Sequence, residues 1–190
     1  NTMRINKILC ARLLVFSCAN CNISSDNYKE GNMIFIESQS SQAPYIKLVT
    51  GSKWTHCGIL VNTPNGLQVL EASKTVRLTS IDDFISHSKN KNYHIVEVPD
   101  SITINYKKYL GKPYDLEFKF DNNKYYCSEL LYEIFKDNNI TICKTKKVSD
   151  YILTKIPKIK KLLEKRGIKP EYEVVSPKDI MNAYSLINFF

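Results

Sequence analysis

Two β-prone runs of similar length, His56 to Asn62 and Leu67 to Ser73, flank the tetrapeptide Thr63-Pro64-Asn65-Gly66. Pro presets its own φ, and Asn and Gly tolerate left-handed backbone, so this segment has the chemistry of a tight turn and commits the chain to an antiparallel hairpin. An isolated hairpin is marginal in water and needs further strands or a helix on its apolar face. The rest of the chain supplies both. Gly31 opens a strand, Met33 to Glu37, and Tyr93 to Val98 reads as another. Helical stretches are expected at Ala43 to Val49, closed by Gly51, and from a Thr79 or Ser80 cap to Ser86, with Asp82 and Asp83 suited to the positive helix start. Ile102 to Leu110 reads as a helix ended by Gly111 and Pro113. Cys127 to Asp137 carries Leu130, Leu131, Ile134 and Phe135 on one face, and a last helix starts at Ser176-Pro177-Lys178-Asp179. The expected class is α+β, a small antiparallel sheet packed against helices.

At 190 residues the chain is one domain's worth, and 6 Gly with 7 Pro exclude collagen-like and low-complexity classes. No run of 18 apolar residues occurs, so any membrane link would be an anchor or a surface contact. The formal net charge of +8 is concentrated. Residues 22–143 are nearly balanced, whereas a basic helical insertion, Lys144 to Lys169, holds 10 basic side chains against 2 acidic ones. Its helix, Pro157 to Arg166, sets Lys158, Lys161 and Lys165 beside Ile159, Leu162 and Leu163, a pattern for a solvated amphipathic helix or for contact with an anionic membrane surface. Nucleic acid is not an expected partner: there is no zinc-finger spacing, no RNP-like stretch and no interleaving of aromatics with the lysines.

Residues 1–21 form a distinct leader. Asn1 and Thr2 read as a tag remnant before Met3; Arg4 and Lys7 then precede an apolar stretch, Ile8 to Phe16, and small or sulfur-bearing residues through Cys21. That layout suits an export signal, and Cys18 after Val15-Phe16-Ser17 resembles a bacterial lipoprotein processing site. The expectation is a cell-envelope protein lipid-anchored at Cys18, or otherwise a cytoplasmic one with an ordinary N-terminal helix. Residues 22–190 are expected to fold as a single domain.

Three cysteines, Cys57, Cys127 and Cys143, lie in the body, so at least one is free. Cys127 stands at the first turn of its helix, where unpaired N–H groups and the helix dipole favour a thiolate. A thiol nucleophile needs a base. His87 lies at a polar helix end and His94 opens a strand. His56 instead starts the first hairpin strand, with Gly58 two residues on, as a close backbone approach requires. Glu71 sits in the apolar run Leu70-Glu71-Ala72 of the partner strand, and an unpaired carboxylate buried there would cost several kcal/mol. Antiparallel pairing can bring it beside His56, to orient the ring as the third member of a triad or to form a structural ion pair.

The stretch Gly111-Lys112-Pro113-Tyr114-Asp115 followed by Tyr126-Cys127-Ser128-Glu129-Leu130 resembles the Gly-x-Pro-Tyr and Cys-Ser signatures of NlpC/P60 cysteine peptidases. Thr55-His56-x-Gly58 and Leu70-Glu71-Ala72 come before the cysteine rather than after it, which is similar to the circularly permuted, YiiX/YebB-like branch of papain-fold hydrolases. Gly31-Asn32-x-Ile34-Phe35 and Val174-Val175-Ser176-Pro177 fit the same branch, so the likeness spans about residues 31–180. Asn32 stands where many members have Asp. The resemblance implies a permuted papain-like fold, Cys127 as nucleophile, His56 as general base and then acid, and Glu71 as orienting residue. It also implies a role for Tyr114 at the oxyanion or substrate site, and it requires no metal or cofactor.

The chemistry so implied is attack of the Cys127 thiolate on a carbonyl and hydrolysis of the thioester, with the backbone N–H of Cys127 or Ser128 helping to hold the oxyanion. Three functions are compatible with these residues: an amidase or peptidase acting on cell-wall peptide or similar amides, a lipid amidase, thioesterase or acyltransferase, and a catalytically silent binding module. A Cys127 thiol out of reach of the His56 ring would favour the last. A narrow polar cleft would favour peptide, and an apolar one open toward Lys158 to Lys165 an acyl chain.

Overall fold

The computed structural model describes residues 28–98 and 102–187. The leader, with the candidate anchor Cys18, lies outside the described residues. Five strands, β1 (Met33–Ser38), β2 (His56–Thr63), β3 (Gly66–Ala72), β4 (Val76–Thr79) and β5 (Ser88–Val96), form one antiparallel sheet in the order β4-β3-β2-β1-β5. The helices are α1 (Ala43–Thr50), α2 (Ile81–Ser86), α3 (Cys127–Asp137), α4 (Pro157–Lys165) and α5 (Pro177–Ile187). A two-stranded ribbon, β6 (Lys146–Lys147) with β7 (Glu173–Val174), ties together the two ends of the segment that carries α4.

The hairpin forms as its residues dictate. Thr63 pairs with Gly66, which has a φ of 91° that suits glycine, and the Thr63 hydroxyl donates to the Gly66 carbonyl at 2.8 Å. Alternation then gives the sheet two apolar faces. Phe35, Cys57, Ile59 and Leu70 pack on Leu130, Leu131, Ile134 and Phe135 of α3 and on Ile180 and Met181 of α5. Ile34, Ile36, Leu60 and Val69 pack on Phe84 of α2. The caps follow the expected chemistry: Ser80 accepts from the Asp83 N–H at 3.1 Å, and the Ser176 N–H and hydroxyl both donate to Asp179 Oδ2 while Asp179 N–H returns to Ser176 Oγ.

Two expectations are corrected. Ile102 to Leu110 is not a helix; only Tyr106–Lys108 makes a 3-10 turn. The β-branched run Ile102-Thr103-Ile104 keeps the chain extended, burying both isoleucines. Asn138 at the end of α3 takes its backbone, accepting from the Thr103 N–H at 3.0 Å and donating to the Thr103 carbonyl at 3.1 Å. The strand expected at Tyr93 to Val98 instead runs from Ser88 to Val96, across a register shift against β1, with Asn90 and Lys91 in left-handed backbone. The helix expected at Pro157 to Arg166 forms as α4: Ile159 is buried, Leu162 and Leu163 are half-buried, and Lys158, Lys161 and Lys165 are exposed.

Candidate active site

Cys127 is the first residue of α3, so the sulfur sits where backbone N–H groups have no partner within the helix and the dipole favours negative charge. His56 is the first residue of β2. Its entry is pinned by Thr55, whose N–H donates to the Ile36 carbonyl at 3.1 Å and whose hydroxyl oxygen accepts from the Ser38 N–H at 2.9 Å. Glu71 lies directly opposite Gly58 in the β2–β3 register, two residues along the same face from His56. Gly58 is required there because a Cβ would stand 2.4 Å from Val69 Cγ1 and 3.4 Å from Phe84 Cε2. The ring of Phe84 in turn stacks on His56, with centroids 5.3 Å apart.

His56 Nε2 is 2.6 Å from Glu71 Oε2, which leaves Nδ1 as the free ring nitrogen. Glu71 is 3 % exposed, and its other oxygen accepts from the Thr79 hydroxyl at 2.7 Å and from Arg77 Nε at 3.0 Å. Both oxygens of this buried carboxylate are therefore engaged, the condition under which a buried charge is tolerated. Burial alone would push the Glu71 carboxyl up, but His56, Thr79 and Arg77 together hold it at about 2. Burial likewise opposes charge on His56, yet hydrogen bonds to Cys127 and Glu71 and their negative charges raise it to about 10. The Cys127 thiol is held well below its usual range, first by a hydrogen bond from the Cys57 thiol, then, against desolvation, by His56 and by the Cys57 backbone N–H. Cys57, fully buried, moves the opposite way because it is desolvated and faces the Cys127 charge. The favoured state is a thiolate–imidazolium pair oriented by a carboxylate, the arrangement of an activated thiol nucleophile.

The structure brings Cys127, His56 and Glu71 together from a helix start and two strands. Tyr114 is placed beside them: its hydroxyl lies near Cys127 and Cys57, and burial and those neighbours raise its ionisation well above the usual range. Tyr114 also lines, with His56, Glu71, Arg77, Gln39 and His87, an open groove of about 750 Å³. The Ser128 hydroxyl is turned to structure, donating to the Val175 carbonyl at 2.8 Å, which leaves only its backbone N–H for an oxyanion. His94 lies in β5 against Trp54. Three residues of the site were not singled out by the sequence. Arg77 and Thr79 belong to β4, too short to stand out, although Arg77 directly opposite Glu71 is a cross-strand charge pair that the register makes visible. Cys57 had no signal beyond being a cysteine next to His56.

A family model for permuted papain-like amidases, the YaeF/YiiX or C92 family, matches residues 27–187. The chain belongs to the C92 family. Its members are papain-like enzymes of the cysteine amidase and peptidase class, and the α+β, antiparallel architecture described above is consistent with that permuted fold. The chain is 30% identical over 167 residues to the uncharacterized protein YiiX of Escherichia coli strain K12, covering 82% of this chain and 83% of that protein. It is also similar to a crystal structure described as the metalloprotein yiiX from Escherichia coli O157:H7, with a TM-score of 0.73, 29% identity, and coverage of 81% of this chain and 92% of that one. As a C92 amidase, the chain has its base-and-carboxylate candidates ahead of the cysteine in sequence, the order in which permutation places them.

Proposed function

We propose that this cysteine amidase works through Cys127 as nucleophile, His56 as acid and base, and Glu71 as the carboxylate that orients the ring. The observation that carries this reading is the imidazole of His56, held through Nε2 at 2.6 Å by the buried Glu71 carboxylate, with Cys127 and Glu71 both favouring its charged form. The thiolate adds to the amide carbonyl, forming a C–S bond. The oxyanion is held by first-turn N–H groups of α3 with Tyr114 nearby. His56 gives its proton to the amine nitrogen as the C–N bond breaks. Water then adds to the thioester, His56 takes its proton, and the acid leaves as the thiolate returns.

The similar yiiX structure is described as a metalloprotein, and the donor set of this chain differs from what a metal needs. Among the described residues no group of three His, Cys, Asp or Glu side chains gathers as a metal site. Both oxygens of Glu71 also already hold partners, Oε2 the His56 ring and Oε1 Thr79 and Arg77. These residues do not fit a metal.

Cys127→Ala tests the reading: turnover of an amide substrate and labelling by a thiol-directed acyl probe should both disappear while the fold, read by circular dichroism, stays. Turnover retained by this variant would remove Cys127 from the chemistry.

A further inference from the structure

We infer that the face built from α1 and α4 docks this protein on the surface of an anionic lipid bilayer. The inference stands apart from the Cys127 chemistry and concerns where the enzyme works. Among the described residues five large apolar side chains are exposed, and three of them, Tyr45, Leu48 and Ile156, belong to this face. Tyr45 and Leu48 are one turn apart on α1. Ile156 stands just before α4, after a 3-10 turn, Ile152–Lys155, that packs against α1. At the other end of α4, Arg166 lies over the Tyr45 ring, 4.6 Å from its centroid, and donates to Gln42 at 2.7 Å, so α1 is tied to both ends of α4.

Lysines border this apolar trio. Lys158, Lys161 and Lys165 form one exposed stripe of α4 beside Leu162, which shares a pocket wall with Tyr45 and Arg166. Lys155 precedes them, and Glu164 is the single acidic residue of α4. Elsewhere lysines find acids: Lys47 pairs with Glu37 at 2.7 Å, Lys108 with Asp137 at 2.6 Å, and Lys136 with Glu133 at 3.1 Å. Among the described residues no carboxylate stands within 4.0 Å of the ammonium of Lys155, Lys158, Lys161 or Lys165. Helix stability does not account for these choices. Ile156 takes the N-cap position without a side-chain cap, where Ser or Asp would satisfy a backbone N–H, and Lys158 sits in the first turn, where the dipole disfavours a cation. An anionic bilayer accounts for both: phosphate headgroups attract the lysines, and exposed Tyr, Leu and Ile bury apolar surface at the headgroup level. A nucleic acid would use the charge and leave Leu48 and Ile156 without a role. Through Gln42 and Ile46, α1 also borders the groove that carries His56, so docking sets that groove beside the bilayer.

The test is partitioning of the full chain, read by flotation, onto vesicles of phosphatidylcholine and phosphatidylglycerol at about three to one, against pure phosphatidylcholine. The leader is the same in every variant, so differences between variants report this face. The wild-type protein should bind the mixed vesicles more tightly than the neutral ones, and added salt should release it. Lys158→Gln, Lys161→Gln and Lys165→Gln together should weaken binding on the order of 10²-fold, about fivefold per charge, with circular dichroism unchanged. The same loss of three charges at Lys29, Lys91 and Lys107, exposed on other elements, should change it by less than about threefold. Leu48→Ser with Ile156→Ser, the second a better helix cap than the native residue, should cost about tenfold. Cys127→Ala should bind as wild type does. Equal binding of wild type to the two kinds of vesicle, equal losses from the two lysine triples, or tighter binding to duplex DNA than to the mixed vesicles would overturn the assignment. So would loss of binding in Cys127→Ala, which would mean that lipid is held at the active site. No turnover is read, so the Cys127 nucleophile stands or falls separately.

Discussion

Glu71→Gln isolates the carboxylate with little change of shape. The amide oxygen can still accept from Thr79 and Arg77, which bond the same oxygen of Glu71 at 2.7 and 3.0 Å, and Arg77 reaches solvent, so the variant should fold. What it loses is the negative charge 2.6 Å from His56 Nε2. In the wild-type protein the working form has Cys127 ionised and His56 protonated, so kcat/KM should be flat through neutrality and fall on the alkaline side as His56 loses its proton at about 10. An adjacent carboxylate contributes about one to three pH units to such a group, equivalent to about 1.4 to 4 kcal/mol. The alkaline limb should therefore move down by about one to three units in Glu71→Gln. At neutral pH the rate should drop by as much as about 10⁴, the cost where an orienting carboxylate has been removed from a catalytic imidazole, because the amide no longer fixes the tautomer that leaves Nδ1 free. The assay is the pH profile of kcat/KM on an amide substrate, with single-turnover labelling of Cys127 to separate thiolate supply from later steps. An alkaline limb unmoved from about 10, with a rate within about threefold of wild type, would refute the triad assignment.

Cys57→Ala removes the strongest single support of the Cys127 thiolate, so the pH at which iodoacetamide reactivity reaches half its maximum should rise; an unchanged titration would show that the Cys57 thiol contributes nothing. Glu71 is held at about 2 against 4.5 for a free glutamate, so it contributes stability that is present above pH 4.5 and lost as pH falls through about 2. The loss should reach about 3 kcal/mol in acid denaturation, shared with His56 as one ion pair, and should be absent in Glu71→Gln. Glu129, buried at the third position of α3, is pushed up to about 8 first by burial and then, against a hydrogen bond from the Tyr126 N–H, by Asp115 and Glu133. Its contribution is present below pH 4.5 and lost as pH rises through about 8, so Glu129→Gln should raise Tm at pH 9 more than at pH 5, and equal effects would contradict this. Gly58→Ala forces a Cβ to within 2.4 Å of Val69 Cγ1 and should cost about 1–3 kcal/mol in urea unfolding; a neutral result would mean that β2 can shift without penalty.

The chain's local chemistry was enough to place most of the elements. A turn tetrapeptide between two alternating runs specifies the β2–β3 hairpin, and apolar spacing from Leu130 to Phe135 specifies α3 with Cys127 at its start, because both signals are read over a few neighbouring residues. The same locality explains the failures. Ile102 to Leu110 has helix-like spacing, but Asn138, 35 residues along from Thr103, claims the backbone there, a competition that local pattern cannot register. At the site the sequence nominated a sulfur, an imidazole and an acid, each because its type and place were unusual for what surrounds it. Only the tertiary structure decided their ionisation. Arg77 and Thr79 come from an edge strand of four residues, Phe84 from the far face of the sheet, and the Cys57 thiol from the next residue along β2. Proton affinities inside a protein depend on which dipoles and charges lie within a few ångströms and how little water separates them, and those distances exist only after strands and helices have docked.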